Sequence, residues 1–193
     1  MGRPPRHTTD DFLDAAVRIF AEGGIAGVTM SAVAREVGAP SGSVYHRFPG
    51  RPALLAAVWL RTVTRFQQGY LDALGQDPPE AAAHVVSWCR SNPAEGLVLH
   101  AGRRALGADG WSAADRARAD EADRRLEAAL GAVLRRLRPL TGLTSDELLL
   151  ALVDLPYAAV RRHLERGAAP PPSTVDLVAR TARTLLGGDL SRG

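Results

Sequence analysis

Apolar residues recur at helical spacing along nearly the whole chain, and no alternating run is long enough for a sheet strand, so the pattern predicts an all-α protein. The first stripe is Phe12, Ala15, Ala16, Ile19 and Phe20, all on one face of a helix. Thr9 or Asp10 is placed to cap its free N–H groups, with Asp11 and Asp14 near the positive end of the helix dipole. Gly23 and Gly24 stand where a helix needs a residue tolerant of positive φ, so the first helix is expected to stop there. Thr29 opens a second, with Met30, Val33, Ala34 and Val37 as its buried face, and Gly38 ends it in a tight turn. Pro40 suits the first turn of a third helix over residues 41–48, with Ser41 as its capping hydroxyl.

Three short helices joined by a Gly turn form a layout that presents the last helix to a DNA groove. The first turns of such a helix must carry small or polar side chains that approach bases and phosphates. Ser41, Gly42, Ser43, Tyr45 and His46 meet that need, while Val44 and Phe48 are suited to face inward. Gly42 is costly in an ordinary helix, and makes sense where the backbone must pass close to DNA.

Four runs, residues 12–24, 28–38, 42–49 and 54–58, share one register, and the segment from residue 10 to about 60 resembles the N-terminal domain of the TetR family of transcriptional regulators. The resemblance implies an N-terminal helix-turn-helix domain and a larger C-terminal helical domain for effector binding and dimerisation. It divides the chain into a basic arm (1–8), a DNA-binding domain (9–51, with the helix-turn-helix at 29–48) and the remainder (52–193). It also implies roles by position: Thr29 and Met30 near a phosphate, Ser41, Gly42, Ser43 and His46 toward the groove, and Tyr45 on the DNA backbone. Arg47 and Arg51 join the DNA-binding set, Arg51 standing where the family usually has a phosphate-binding Lys. Arg47 replaces a frequent His, Ser41 a frequent Lys, and Gly50 with Pro52 a Ser and an acidic residue, departures that bear on which operator is read.

Beyond Pro52 the helical pattern continues. Leu55, Val58, Trp59, Thr62, Phe66 and Tyr70 predict one long helix to about Leu74, broken by Gly75, Asp77, Pro78 and Pro79. A fifth helix is expected over 80–91 and a sixth over 93–106. Ser112 with Asp115 starts a seventh, whose first half carries charges spaced for a solvated face, Asp120 with Arg124 and Glu121 with Arg125. Its second half turns apolar before Pro139. Thr144 with Glu147, and Ser173 with Asp176, read as starts of two closing amphipathic helices, the first kinked by Pro156. These two resemble the pair through which TetR-family proteins form a four-helix dimer interface. The plainer reading is that they complete a monomer core.

The net charge of +3 is modest, but its placement is informative. Eight arginines stand against five acidic residues through residue 65, and the rest of the chain is balanced. The excess therefore sits on the proposed DNA module, as phosphate contact and counterion release require. Arg3 and Arg6 either form an arm reaching the minor groove or belong to a disordered tail. The chain contains no Lys. The single Cys89 forms no internal disulfide, and no apolar leader or membrane-length segment is present, so a cytoplasmic address and no membrane partner are expected. No His or Cys shows metal-ligand spacing, and neither a metal nor any other cofactor is expected.

The resemblance implies a small-molecule effector, and the residues suited to line its pocket are Phe66, Tyr70, His84, Trp88, Cys89, His100, Trp111 and Tyr157. Each also has an ordinary reading, the aromatics as core, the histidines as partly exposed side chains and Cys89 as an inert buried thiol rather than a redox sensor. Arg103 and Arg104 either meet an acidic effector or are solvated. The function expected is that of a homodimeric regulator, a repressor on a palindromic double-stranded operator that is released by its effector. The rivals are a DNA-binding regulator without an effector, and an all-helical enzyme or carrier with a vestigial helix-turn-helix. The enzyme lacks support from any nucleophile and base spacing or phosphate-binding Gly loop.

Overall fold

The computed structural model describes residues 7–187, so Arg3 and Arg6 lie outside the described residues. Among those described, every regular element is helical. The chain forms two compact units, one of residues up to Val63 with Leu97–Ala119, the other of Thr64–Gly96 with the chain from Asp120.

In the first unit, helix α1 (Thr9–Gly27) is capped by Thr8 rather than by Thr9 or Asp10. The Thr8 hydroxyl accepts from the Asp11 N–H (3.2 Å), and the Asp11 carboxylate accepts from the Thr8 N–H (2.6 Å). Asp11 is thus the reciprocal partner of a capping box, and the Thr8 N–H bond to its carboxylate, with a further contribution from the Thr8 side chain, holds that carboxyl below the usual carboxylate range. The helix breaks at Gly24, where φ is 67°, but one more turn follows before Gly27.

Helices α2 (Met30–Val37) and α3 (Ser41–Arg47) follow, and α4 (Arg51–Gln76) begins in this unit and ends in the other. Phe12, Leu13, Ala16, Val28, Met30, Val33, Val44, Phe48, Leu54 and Leu55 are all buried, so the apolar stripes read from the sequence do form a core. Arg61 of α4 fastens α1 by salt bridges to Asp10 (3.2 Å) and Asp14 (2.7 Å) with its own side chain largely covered. Helix α6 (Pro93–Ala105) breaks at Gly102 (φ 77°). Beyond it Trp111 is buried and donates its indole N–H to the Leu106 carbonyl at 3.2 Å.

In the second unit, α5 (Pro78–Ser91) packs its small buried face, Ala81, Ala82, Val85 and Val86, against α9 (Leu155–Leu164) and α10 (Pro172–Leu185). Helix α7 (Ala113–Thr141) runs one turn past its expected end, because Pro139 lies in the last turn where one lost bond is tolerated. Glu121 pairs with Arg124 at 2.7 Å on its exposed side.

Helix α8 (Ser145–Leu149) opens with the expected Thr144–Glu147 capping box. Ser173, by contrast, caps nothing: Pro171 is the cap residue of α10 and no side chain bonds to the helix start. Pro172 occupies the first helical position, where its missing N–H costs least.

Pro156 acts through a π turn over Leu150–Asp154 that joins α8 to α9. A proline at 156 has no N–H to give the Leu152 carbonyl. The Tyr70 hydroxyl of α4 donates to that carbonyl instead, at 3.1 Å.

Candidate nucleic-acid interface

The α2–α3 pair is set by its caps. Thr29 lies in the extended region, and its hydroxyl accepts from the Ala32 N–H at 3.1 Å. At the other end Gly38 adopts φ 71°, ψ 29°. Its N–H bonds to the Arg35 carbonyl (3.1 Å) while that of Ala39 reaches back to Ala34 (2.9 Å), the two bonds of a Schellman motif. A side chain at 38 is disfavoured by that backbone conformation. Pro40, not Ser41, then takes the cap position of α3, with an extended ψ of 140° and no side-chain cap bond. Ser41 is the first helical residue, so its hydroxyl is free for other work.

Helix α3 is anchored by Val44, fully buried, and Phe48. The opposite face exposes Ser41, Gly42, Tyr45 and His46, with Ser43 half-buried beside them. Tyr45 is 57% exposed, a large aromatic that the protein does not cover. Gly42 has ordinary helical backbone, and a Cβ built on it meets nothing within 4 Å. Nothing inside the protein requires a glycine there. These residues form one surface of small, polar and aromatic groups, suited to hydrogen bonding and close approach in a major groove.

The remaining sequence candidates are placed differently. Thr29 is exposed beside Ser31 (Oγ1 to Oγ 3.3 Å), a residue that sequence reasoning passed over. The Met30 side chain belongs to the core at 6% exposure, so only its main chain stands near the start of α2. Arg47 turns back onto α1: its guanidinium donates to the carbonyls of Ser43 (3.3 Å) and His7 and lies 5.0 Å over the Phe12 ring. Arg51 donates from Nε to the Val28 carbonyl (2.6 Å) and from Nη2 to that of Ile25. Arg18 and Glu36 pair at 3.1 Å on the surface. The Asp10–Asp14 spacing, which puts two carboxylates on one face of α1, was the signal that could have led to Arg61.

Of the effector candidates, the structure brings four together in the second unit. Phe66 stacks on Tyr70 (5.6 Å between centroids) and meets His84 (5.7 Å) and the edge of Trp88 (5.3 Å). Phe66, His84 and Trp88 are half-buried, and Tyr70 is buried, which raises its phenol pKa. His84 lies across α4 at Gly69, with Nε2 3.2 Å from the Phe66 carbonyl. A carbonyl only accepts, so Nε2 carries the proton in this bond. A Cβ on Gly69 would collide with the imidazole Cε1, so this glycine is what admits the ring. Burial holds the His84 pKa below the usual imidazole value, opposed in part by that hydrogen bond.

Cys89 is buried and its thiol is pushed up to about 12, which leaves no reactive thiolate near neutral pH and disfavours the redox-sensor reading. His100 and Trp111 belong to the first unit, and Tyr157 is 44% exposed. Among the described residues no group of three or more His, Cys, Asp or Glu is arranged to hold a metal ion, and no helix is long and apolar enough to cross a membrane.

Residues 12–58 match the family model described as "Bacterial regulatory proteins, tetR family". No curated protein matches the chain. Among solved structures, the fatty acid degradation regulator FadR from Bacillus halodurans is similar at 16% identity and a TM-score of 0.67, over 98% of this chain and 99% of that one. The TetR family regulator PfmR from Thermus thermophilus is similar at 18% identity and a TM-score of 0.67, over 92% and 97%. FadR from Bacillus subtilis, solved in complex with stearoyl-CoA, is similar at 17% identity and a TM-score of 0.57, over 94% and 99%. At such identities the structural likeness is one of fold. The family model falls on the residues whose geometry has just been described, from Phe12 through the first turns of α4, so that segment is similar to the bacterial regulatory proteins of the tetR family, and the described chain shares the fold of the solved structures.

Proposed function

We propose that this chain is a ligand-responsive repressor that binds a two-fold symmetric operator as a homodimer and leaves it when a small molecule occupies the C-terminal unit. The observation that carries the reading is the outward face of α3. Ser41, Gly42, Tyr45 and His46 are presented on a helix whose other side is locked by Val44 and Phe48. A helix of seven residues reads few base pairs, and two-fold proteins meet that limit by using two copies.

The closing helices supply a surface for the second copy. Leu150 and Tyr157 are exposed seven residues apart along the rod of α8 and α9, and Leu177 and Leu185 are exposed on α10. Large apolar side chains left in water in this way favour self-association. On the effector side, the half-buried rings of Phe66, His84 and Trp88 provide apolar surface with an orienting imidazole. A B. subtilis neighbour of similar fold holds an acyl-CoA, which supports a ligand for this unit without naming it. A reducing, cytoplasmic setting follows from the work on DNA.

The test is selection of bound duplexes from random double-stranded DNA with the full chain, followed by the mass of the complex in solution. An enriched inverted repeat carrying an even number of chains is expected. Failure to enrich any sequence overturns the reading.

A further inference from the structure

The C-terminal end of α1 presents carbonyl groups with no intrahelical partner, and its last turn contains no basic residue to meet them. The cation that meets them comes from elsewhere. Arg51, the first residue of α4, donates from Nε to the Val28 carbonyl at 2.6 Å and from Nη2 to the Ile25 carbonyl. The Ile25 carbonyl also accepts the Val28 N–H at 3.3 Å, so the arginine closes a turn already folded on itself. The next residue is Thr29, whose hydroxyl caps α2 through the Ala32 N–H.

We propose that Arg51 is a positioning residue, not a phosphate ligand: its fork latches the first turn of α4 to the Ile25–Val28 turn and thereby sets how Thr29, α2 and α3 are presented to DNA. The proposal rests on the DNA-binding reading above and departs from what position alone implies for a cation at the start of α4. Two observations favour the latch. The guanidinium is half-buried, and its Nε and one Nη are committed to two carbonyls on the same turn. A guanidinium spans two acceptors with a planar fork, whereas an ammonium is a point charge that replaces it at a phosphate but not across such a pair. The two roles therefore differ in what Lys can restore.

The experiment uses the full chain as wild type, Arg51→Ala and Arg51→Lys, with a duplex enriched from random DNA as probe. Dissociation constants are measured over a range of NaCl concentrations, and the Thr29 and Ala32 amide resonances are followed by NMR without DNA. The latch predicts that both variants weaken binding about tenfold at fixed salt. It further predicts an unchanged slope of log K against log salt, and displaced Thr29 and Ala32 resonances in both variants. Wild-type affinity in Arg51→Lys, together with a slope shallower by about one in Arg51→Ala, marks a phosphate contact and overturns the proposal. Wild-type affinity and unmoved resonances in both variants overturn it as well. Should the wild type bind no duplex, the DNA-binding reading fails by itself and the resonances decide the latch: displacement in both variants sustains it, and none refutes it.

Discussion

Gly42→Ala separates what the fold needs from what DNA needs at one position. The glycine lies in the first turn of α3 on ordinary helical backbone, and the added methyl meets nothing within 4 Å. The protein therefore gains only the difference in helix propensity, at most about 1 kcal/mol and less near a helix start. For a chain of this size that gain raises Tm by about 1–4 °C. Against a duplex the same methyl projects from the face that carries Ser41, Tyr45 and His46, and a close approach of the main chain to DNA is lost. A tenfold loss of affinity corresponds to about 1.4 kcal/mol, and a loss of that size or more is expected. Thermal unfolding and fluorescence anisotropy with an enriched duplex read the two effects in one preparation. A fall in Tm shows that the fold itself requires the glycine, and unchanged affinity shows that this face does not meet DNA; either result refutes the reasoning.

Three further outcomes concern the second unit. Tyr70→Phe removes the hydroxyl that donates to the Leu152 carbonyl, and is expected to cost about 1–3 kcal/mol in urea unfolding; no loss means that the bond contributes nothing to stability. Gly69→Ala drives a methyl into the His84 ring and is expected to cost about 1–3 kcal/mol, while in a His84→Ala background the cost disappears; additive losses in this double-mutant cycle contradict the close approach. His84 has its folded pKa held below the free imidazole value of about 6.5, so the unfolded chain takes up the proton first. Its stabilising contribution is complete above about pH 6.5 and is lost as pH falls through the folded value. Urea midpoints for wild type and His84→Phe at several pH values between about 7.5 and about 5 are expected to show a steeper acid decline in the wild type, and parallel curves remove His84 as the cause.

Helix existence was legible because the apolar period of Phe12, Ala15, Ala16 and Ile19, and its counterparts along the chain, decides which face is buried. Caps were less so. Thr8, Thr9 and Asp10 all qualify chemically, and what selects Thr8 is Asp11 lying three residues on to close the box. At α3 and α10 the prolines at 40 and 171 set an extended backbone before the helix, which took the cap position from Ser41 and Ser173. The outward-facing side chains of α3 were readable from their small polar character. The inward use of Arg47 and Arg51 was not, because their partners are main-chain carbonyls 40 and more than 20 residues away, and a carbonyl leaves no mark in a sequence. The aromatic cluster was legible as a list of rings. Its membership depended on how α4 and α5 pass, which brought Phe66, Tyr70, His84 and Trp88 together and placed Trp111 in the other unit.

The most direct measurement is photocrosslinking of the full chain to an enriched duplex in which single thymines are replaced by 5-iodouracil, whose reactive atom lies in the major groove. Crosslinked peptides from residues 41–46, with Tyr45 or His46 as the attachment point, are the expected result. Crosslinks confined to other helices, or none at any substituted position in a duplex that still binds, contradict the placement of α3 in the groove.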